Sequence, residues 1–168
     1  MIKIKQFLYL LVLVSFIFSS CKKDDDKDFR DKFEGTYETD IVGLLYFVDA
    51  GWVLPMEEPG ATENVIVNKL GVNQLMLMFE GRGVYMTVTV DEQGDFSIPP
   101  ESFKEEDTDD DTGMKLTLYL TVSVTGTITN KTLYIKETYS GNVIIELGME
   151  KIDSKVTGNR VYNGKKIN

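Results

Sequence analysis

Three aspartates at alternate positions, Asp107, Asp109 and Asp111, give this sequence its clearest capacity for metal chemistry. They lie in the run from Glu105 to Gly113, the densest charge in the second half of the chain. Carboxylates at this spacing can converge on a calcium ion, which takes about six to eight oxygen ligands. The run departs from the EF-hand pattern, because Leu118 stands where a bidentate Glu would close the loop. Two interpretations stay open, a calcium site and a solvated acidic hairpin tip.

Catalytic chemistry is restricted because the sequence contains no histidine. This removes the usual general base near neutral pH, the commonest zinc ligand and the base of Ser-His-Asp and Cys-His systems. Acid pairs such as Asp91 with Glu92 could exchange protons, but the sequence does not place two carboxylates at a productive separation. We expect no enzymatic activity and no cofactor other than calcium, and keep a carboxylate-based hydrolase as an alternative.

The only cysteine, Cys21, follows an apolar run from Phe7 to Phe18 that two lysines precede. The run is shorter than the roughly 20 apolar residues that cross a bilayer. It therefore indicates a removable signal peptide over residues 1–20, and its position makes Cys21 a candidate for lipid attachment. An ordinary secretory signal followed by a chance cysteine is the alternative.

The segment Phe18-Ser19-Ser20-Cys21 resembles the bacterial lipobox, with Phe where Leu is usual. This resemblance implies a diacylglyceryl group on the Cys21 thiol and cleavage before it; two or three acyl chains give stable anchoring. The next residues resemble the export signal of Bacteroidetes-type surface lipoproteins: Lys22, Lys23, Asp24, Asp25 and Asp26. We expect an outer-membrane, cell-surface lipoprotein with a charged, disordered tether over residues 21–32.

The charge of the mature chain excludes one class of partner. Removing residues 1–20 takes two of 18 basic residues and no acid, leaving 16 against 27 acidic residues, a net charge of −11. Such a field repels nucleic acid and anionic membrane surfaces. The remaining length predicts a single domain over residues 33–168.

Apolar and polar residues alternate along most of this domain, and no segment after the signal peptide has the helical period. The clearest case is Lys115 to Thr125, where five apolar residues fall on one face. Further predicted strands are Gly35–Thr39, Gly43–Val48, Asn64–Lys69, Gln74–Phe79, Val84–Val90, Thr132–Tyr139, Val143–Met149 and, more weakly patterned, Val156–Tyr162.

Turn chemistry between these strands predicts a meander of hairpins. The predicted hairpin turns are Glu80–Gly83, Asp91–Gly94, Asn130–Lys131 and Ser140–Asn142, and longer loops are predicted over Asp49–Thr62 and Pro99–Gly113. Because closure removes exposed edges, we predict an all-β, antiparallel up-and-down barrel of about eight strands, with a two-sheet sandwich as the alternative.

The start of the domain, Phe33-Glu34-Gly35-Thr36-Tyr37, resembles calycin-like and lipocalin-like proteins, in which a glycine precedes an aromatic residue by two positions on the first strand. That aromatic is usually tryptophan in lipocalins, and Arg160 would correspond to the late basic residue that packs over it. The resemblance implies a barrel with room for one small ligand.

Candidate ligand-binding residues are the aromatic Trp52 with the nearby Tyr46, and the pair Met76 and Met78. Trp52 could stack on a sugar or hydrophobic ligand at the barrel mouth, or it could fold inward as a plug together with Val53 and Leu54. The methionines could line a cavity or pack in the core.

These observations predict a lipid-anchored binding module for a small hydrophobic or glycan ligand. The alternative is a structural or accessory partner of a larger surface complex, docked to an outer-membrane protein.

Overall fold

The computed structural model describes residues 28–109 and 112–167. Within these ranges it contains one 3₁₀ helix, Phe29–Lys32, and nine β-strands. The strands are β1 (Gly35–Phe47), β2 (Trp52–Pro55), β3 (Thr62–Leu70), β4 (Gln74–Phe79), β5 (Val84–Thr89), β6 (Asp95–Thr108), β7 (Lys115–Ile128), β8 (Thr132–Leu147) and β9 (Glu150–Lys166). No helix in the described part of the chain has the length and apolar character needed to cross a bilayer.

The strands form one antiparallel sheet in the order β5-β4-β3-β1-β9-β8-β7-β6, with the short β2 paired to the end of β1. The first and last strands join along most of their length, from Tyr37 opposite Lys166 to Phe47 opposite Val156. Strands β5 and β6 meet at a single bridge, Val90 to Phe96. The protein is therefore a nearly closed eight-stranded barrel, as predicted, and not a two-sheet sandwich.

The alternating pattern decides which side chains enter the barrel. On β4, Leu75, Leu77 and Phe79 are buried, whereas Met76 and Met78 between them are only partly covered. Most of the buried residues belong to one large cluster that includes Phe33, Tyr37 and Tyr162. A smaller cluster around Leu45, Leu120 and Val143 fills the other half.

The two ends of the barrel differ, and we name them by where the described chain begins. At the proximal end lie the 3₁₀ helix and the turns 71–73, 90–94 and 129–131; at the distal end lie the turns 48–51, 109–114 and 148–149. Strands β3, β4 and β5 have 9, 6 and 6 residues, whereas β6 to β9 have 14 to 17. We call β3 to β5 the short wall and β6 to β9 the long wall. The short wall ends partway along the barrel, at turn 80–83.

The 3₁₀ helix closes the proximal end, which corrects the predicted extent of the disordered tether. Phe33, directly after the helix, is fully buried, and Phe29 contacts its ring edge-on at 6.2 Å between centroids. The Arg30 guanidinium donates to the carbonyl oxygens of Leu70 and Gln74 at 3.3 and 3.2 Å. Residues 29–32 are thus ordered, because aromatic burial and these backbone contacts outweigh the surrounding charge.

The hairpin predicted at Ser140–Asn142 is wrong, because these residues continue β8 without interruption. Gly141 serves a different purpose from a turn. A Cβ at this position would lie 1.8 Å from the Tyr119 carbonyl oxygen, so the glycine allows close approach of β7. The separately predicted strands on either side are one strand, as are the two segments predicted within β1.

The loop predicted over Pro99–Gly113 is also wrong over most of its length, since β6 runs on to Thr108. The two prolines sit in a bulge, where the register shifts between Ile98 and Glu101. Proline cannot donate to a ladder and is tolerated at a bulge on an edge strand. The other predicted loop, Asp49–Thr62, contains the short strand β2.

Candidate functional site

Charged side chains point into the barrel about halfway along it. On β8 the inward positions are Leu133, Ile135, Glu137 and Tyr139, so strand alternation carries Glu137 inside, where it is 6% exposed. Glu63 occupies an inward position on β3 and is 7% exposed. Buried carboxylates are costly unless they are paired, so their partners define the site.

Glu137 is the centre of these contacts. The Tyr139 hydroxyl donates a hydrogen bond to its Oε2, and Arg160 Nη1 donates to the same oxygen at 3.3 Å. The Tyr162 hydroxyl donates to Oε1 at 3.4 Å, and Arg82 Nη1 lies 4.0 Å from that oxygen. Both carboxylate oxygens are therefore engaged.

Arg82 comes from turn 80–83, at the end of the short wall. Its backbone N–H donates to Glu63 Oε1 at 2.9 Å, and its Nε lies 3.3 Å from Glu63 Oε2. Its guanidinium carbon stands 4.5 and 5.1 Å from the ring centroids of Phe79 and Tyr162, within the range of cation–π attraction. The guanidinium makes no hydrogen bond to any residue that the structure describes.

Arg160 completes the set. Its Nε lies 2.8 Å from Glu57 Oε1 without forming an aligned hydrogen bond, and its Nη1 donates to the Tyr139 hydroxyl at 3.3 Å. The five charged groups thus alternate in sign along one path. We call Glu63, Arg82, Glu137, Arg160 and Glu57 the charged row.

The protonation of the surrounding groups suits this arrangement. Burial, followed by the charge of Glu137, raises the pKa of Tyr139 and of Tyr162, so both phenols stay neutral and can donate. Burial acts to lower the pKa of Arg160, but the charges of Tyr139 and Tyr162, which ionise only at the high pH where arginine titrates, and those of Glu137 and Glu57 outweigh it and raise that pKa. Arg160 therefore remains a cation.

A pocket of about 420 Å³ opens above the charged row, between β5 and β6. It exists because the two strands separate beyond their single bridge and because the short wall stops there. Its apolar walls are Met86, Ile98, Pro99, Phe103, Val122 and Val124, and its polar groups are Arg82, Tyr85, Glu101, Glu137, Tyr139 and Arg160. Small-molecule sites in proteins have roughly this size and this mixture.

Trp52 and Tyr46, two of the predicted ligand-binding residues, lie outside this pocket on the β1–β2 hairpin at the distal end. Trp52 pairs with Phe47, and Tyr46 pairs with Val53. The inward plug is not formed, since Trp52, Val53 and Leu54 are 56%, 53% and 52% exposed. A β2 of four residues leaves them beyond the barrel core.

The two predicted methionines occupy the outer face of β4 and do not line the pocket. Met78 pairs with Tyr85, which borders the pocket, whereas Met76 pairs with Thr87. A role of Trp52, Tyr46, Met76 and Met78 in ligand binding stays a prediction.

The predicted calcium ligands lie at the distal end, in or beside the β6–β7 turn. Asp107 Oδ1 accepts the Thr108 N–H at 2.8 Å, and Asp109 Oδ1 accepts the Thr112 N–H at 3.1 Å. Asp111 lies outside the described residues, as do Cys21 and the predicted export signal. No group of three potential metal ligands occurs among the residues that the structure describes.

The basic residue over the Tyr37 ring is Lys166, with its Nζ 5.8 Å from the ring centroid, and not Arg160 as the resemblance implied. Lys166 stands opposite Tyr37 in the β1–β9 register, whereas Arg160 stands opposite Gly43. Six residues of strand separate the two, roughly 20 Å. Arg160 belongs to the charged row instead.

The charged row was not predicted from the sequence, although one signal for it was present. Glu137 has the same strand phase as Leu133 and Ile135, so a carboxylate at an apolar position was visible. Nothing in the sequence showed that Arg82 and Arg160, on other elements, would meet it.

No protein-family model matches the chain, and comparison with curated proteins and with solved structures finds no similar protein in either set.

Proposed function

We propose that the protein is a non-enzymatic binding module whose pocket between β5 and β6 holds one small, largely hydrophobic ligand. The observation that carries the proposal is the combination of apolar walls with a polar floor in a space of about 420 Å³. Apolar side chains supply most of the contact area, and a few fixed polar groups orient the ligand. The walls favour a hydrophobic ligand over a glycan.

The contacts within the charged row suit ligand binding better than catalysis. A hydrolase needs a carboxylate that can exchange a proton with substrate, whereas Glu137 is held by two phenols and by Arg160. Glu63 is occupied by the backbone and side chain of Arg82. These contacts stabilise both carboxylates as structural acceptors.

A pocket-filling substitution tests the proposal. The mature chain with Cys21→Ser would be screened for thermal stabilisation by sterols, long-chain alcohols, fatty acids, porphyrins and oligosaccharides. Ligand at a hundredfold excess over Kd stabilises the folded state by about 2.7 kcal/mol. Met86→Trp places an indole in the pocket and should abolish this stabilisation, whereas Val161→Trp, on the outward face of β9, should preserve it.

No stabilisation by any compound class, or equal stabilisation of the Met86→Trp variant, would refute binding in this pocket. Stabilisation by oligosaccharides alone would support a binding module but contradict the preference for a hydrophobic ligand.

We also propose that the module is anchored to the outer membrane through acylated Cys21 and faces the cell exterior. Seven Cα steps separate Cys21 from Asp28, a span of at most about 25 Å. The described chain begins at the proximal end, so this attachment leaves the pocket and the distal end facing away from the bilayer. Intact mass of the membrane-extracted protein and protease accessibility on whole cells test the proposal; an unmodified or protected chain would contradict it.

A second role, as an accessory partner of an outer-membrane protein, is favoured by the exposed apolar residues of the β1–β2 hairpin. Trp52, Val53 and Leu54 are each more than half exposed at the end opposite the predicted anchor. Crosslinking in intact membranes would compare the unsubstituted protein with a double variant that carries Trp52→Ser and Leu54→Ser. We expect a specific partner that the double variant loses. An identical crosslinking pattern for both proteins would exclude the β1–β2 hairpin as the docking surface.

A further inference from the structure

We infer that the ligand's polar group is an uncharged hydrogen-bond acceptor, such as an amide, ester, ketone or alcohol oxygen. The inference rests on the proposed function and concerns the floor of the same pocket. Three features of that floor lead to it: free donors, engaged acceptors and a slight excess of negative charge.

The free donors belong to Arg82. Arg82 lines the pocket, its side chain is 31% exposed, and its guanidinium lies near Glu63 and Glu137 but makes no hydrogen bond to the described residues. A guanidinium carries five N–H donors in a planar fork. The guanidinium carbon lies 4.5 and 5.1 Å from the ring centroids of Phe79 and Tyr162, and these contacts hold the guanidinium at the edge of the pocket.

The acceptors on the floor are already engaged. Glu137 receives hydrogen bonds at both oxygens, and the Tyr139 hydroxyl donates to Glu137 while accepting from Arg160. Glu63 Oε2 has no hydrogen-bond partner, but this atom is buried and Glu63 does not line the pocket. Glu101 and Tyr85 are exposed at the pocket wall, whereas on the floor a ligand meets more free donors than free acceptors, which favours a ligand that supplies an acceptor.

The charge of the floor disfavours a ligand with a full charge of either sign. The charged row contains three carboxylates and two guanidinium groups, and Glu101 adds another carboxylate at the pocket wall. An anion would meet this net negative charge and would compete with Glu63, 3.3 Å from Arg82 Nε. A cation would meet Arg82, the most exposed cation of the row, directly.

A matched series of ten-carbon compounds tests the inference: decanamide, decanol, decanoate and decylamine. Each would be titrated into the mature Cys21→Ser chain by calorimetry at pH 7. We expect the amide and the alcohol to bind at least about tenfold more tightly than decanoate and decylamine, a difference of about 1.4 kcal/mol. Tightest binding by decanoate or by decylamine would overturn the inference and leave the proposed function intact.

Failure of all four compounds to bind would count against the proposed function itself, so the two failures are distinguishable.

A variant at Arg82 adds a second comparison. Arg82→Met should weaken decanamide binding by about tenfold. Lys104→Met, which removes an exposed cation that pairs with Glu106 at 2.6 Å, should leave it unchanged. Since the ligand series needs no substitution at Arg82, the test stands even if Arg82→Met fails to fold.

Discussion

The two walls of the barrel follow the same alternating pattern but differ in length. Strands β3 to β5 have 6 to 9 residues, and their inward side chains are apolar except at Glu63. Strands β6 to β9 have 14 to 17 residues and continue toward the distal end beyond the level at which β3 to β5 end. The pocket and the charged row lie at the level where the short wall stops.

This difference indicates how a filled barrel acquires a binding site. In the proximal half, both walls are present and the 3₁₀ helix closes the end, so the interior is continuous apolar packing. Beyond turn 80–83 one wall is missing, and several inward residues of the long wall, such as Phe103 and Ile152, are partly exposed. Water can reach this level, which lowers the cost of placing Arg82 and its partners there.

The largest expected difference in the free energy of unfolding comes from removing one phenylalanine side chain in each half of the barrel. Phe33→Ala empties a fully buried site in the proximal cluster and should lower the free energy of unfolding by about 4 kcal/mol. Phe103→Ala, at a side chain 43% exposed, should lower it by about 1 kcal/mol. Denaturant unfolding measures both, and equal losses would contradict the contrast between the halves.

Ion pairs should show the next largest difference. Arg160→Met removes the cation that pairs with Glu57 and with Glu137 Oε2, leaves only Arg82 near Glu137, and should cost about 3 kcal/mol. Lys104→Met breaks an exposed pair with Glu106 on the long wall and should cost less than about 0.5 kcal/mol. Urea titrations of the two variants give the comparison. A loss below 1 kcal/mol for Arg160→Met would show that water solvates the charged row as fully as it solvates an exposed ion pair.

Two glycines with positive φ allow a third comparison. At Gly94, with φ +94°, a Cβ would lie 1.9 Å from the Ile128 carbonyl oxygen, so Gly94→Ala should cost about 2 kcal/mol or more. At Gly148, in the distal turn with φ +62°, nothing lies within 4 Å, and Gly148→Ala should cost about 1 kcal/mol. Thermal unfolding of the two variants measures these losses. A larger loss for Gly148→Ala than for Gly94→Ala would contradict a closed proximal end.

The last comparison concerns alkaline pH. Burial raises the pKa of Tyr37 to about 12, and burial also raises those of Tyr139 and Tyr162. The unfolded chain therefore releases these protons first, and stability that is complete below pH 10 falls as the pH rises from 10 toward 12. Each buried phenol contributes a slope of about 1.4 kcal/mol per pH unit.

Denaturation midpoints measured across this pH range should show the decline, and Tyr37→Phe should reduce its slope. A slope unchanged by Tyr37→Phe would mean that the Tyr37 hydroxyl, placed between the Phe33 and Thr129 carbonyl oxygens, titrates normally.

The local pattern of apolar, polar and turn residues was sufficient to predict much of the barrel. Gln74–Phe79 was predicted with the bounds of β4, and the turns at Glu80–Gly83, Asp91–Gly94 and Asn130–Lys131 join the strands expected. Errors came from glycine and proline. Gly141 was interpreted as part of a hairpin turn and Pro99-Pro100 as the start of a long loop, whereas they serve close strand approach and a bulge inside long strands.

The sequence by itself determined the all-β class, the meander and the inward phase of Glu137, because side-chain alternation is a property of each strand alone. Only the tertiary structure decided that Glu63, Arg82, Glu137 and Arg160 meet and that a pocket opens above them. Their contacts join residues up to 55 positions apart, as in the pair of Arg82 with Glu137, through strand register and unequal strand lengths, and neither is encoded by any one segment.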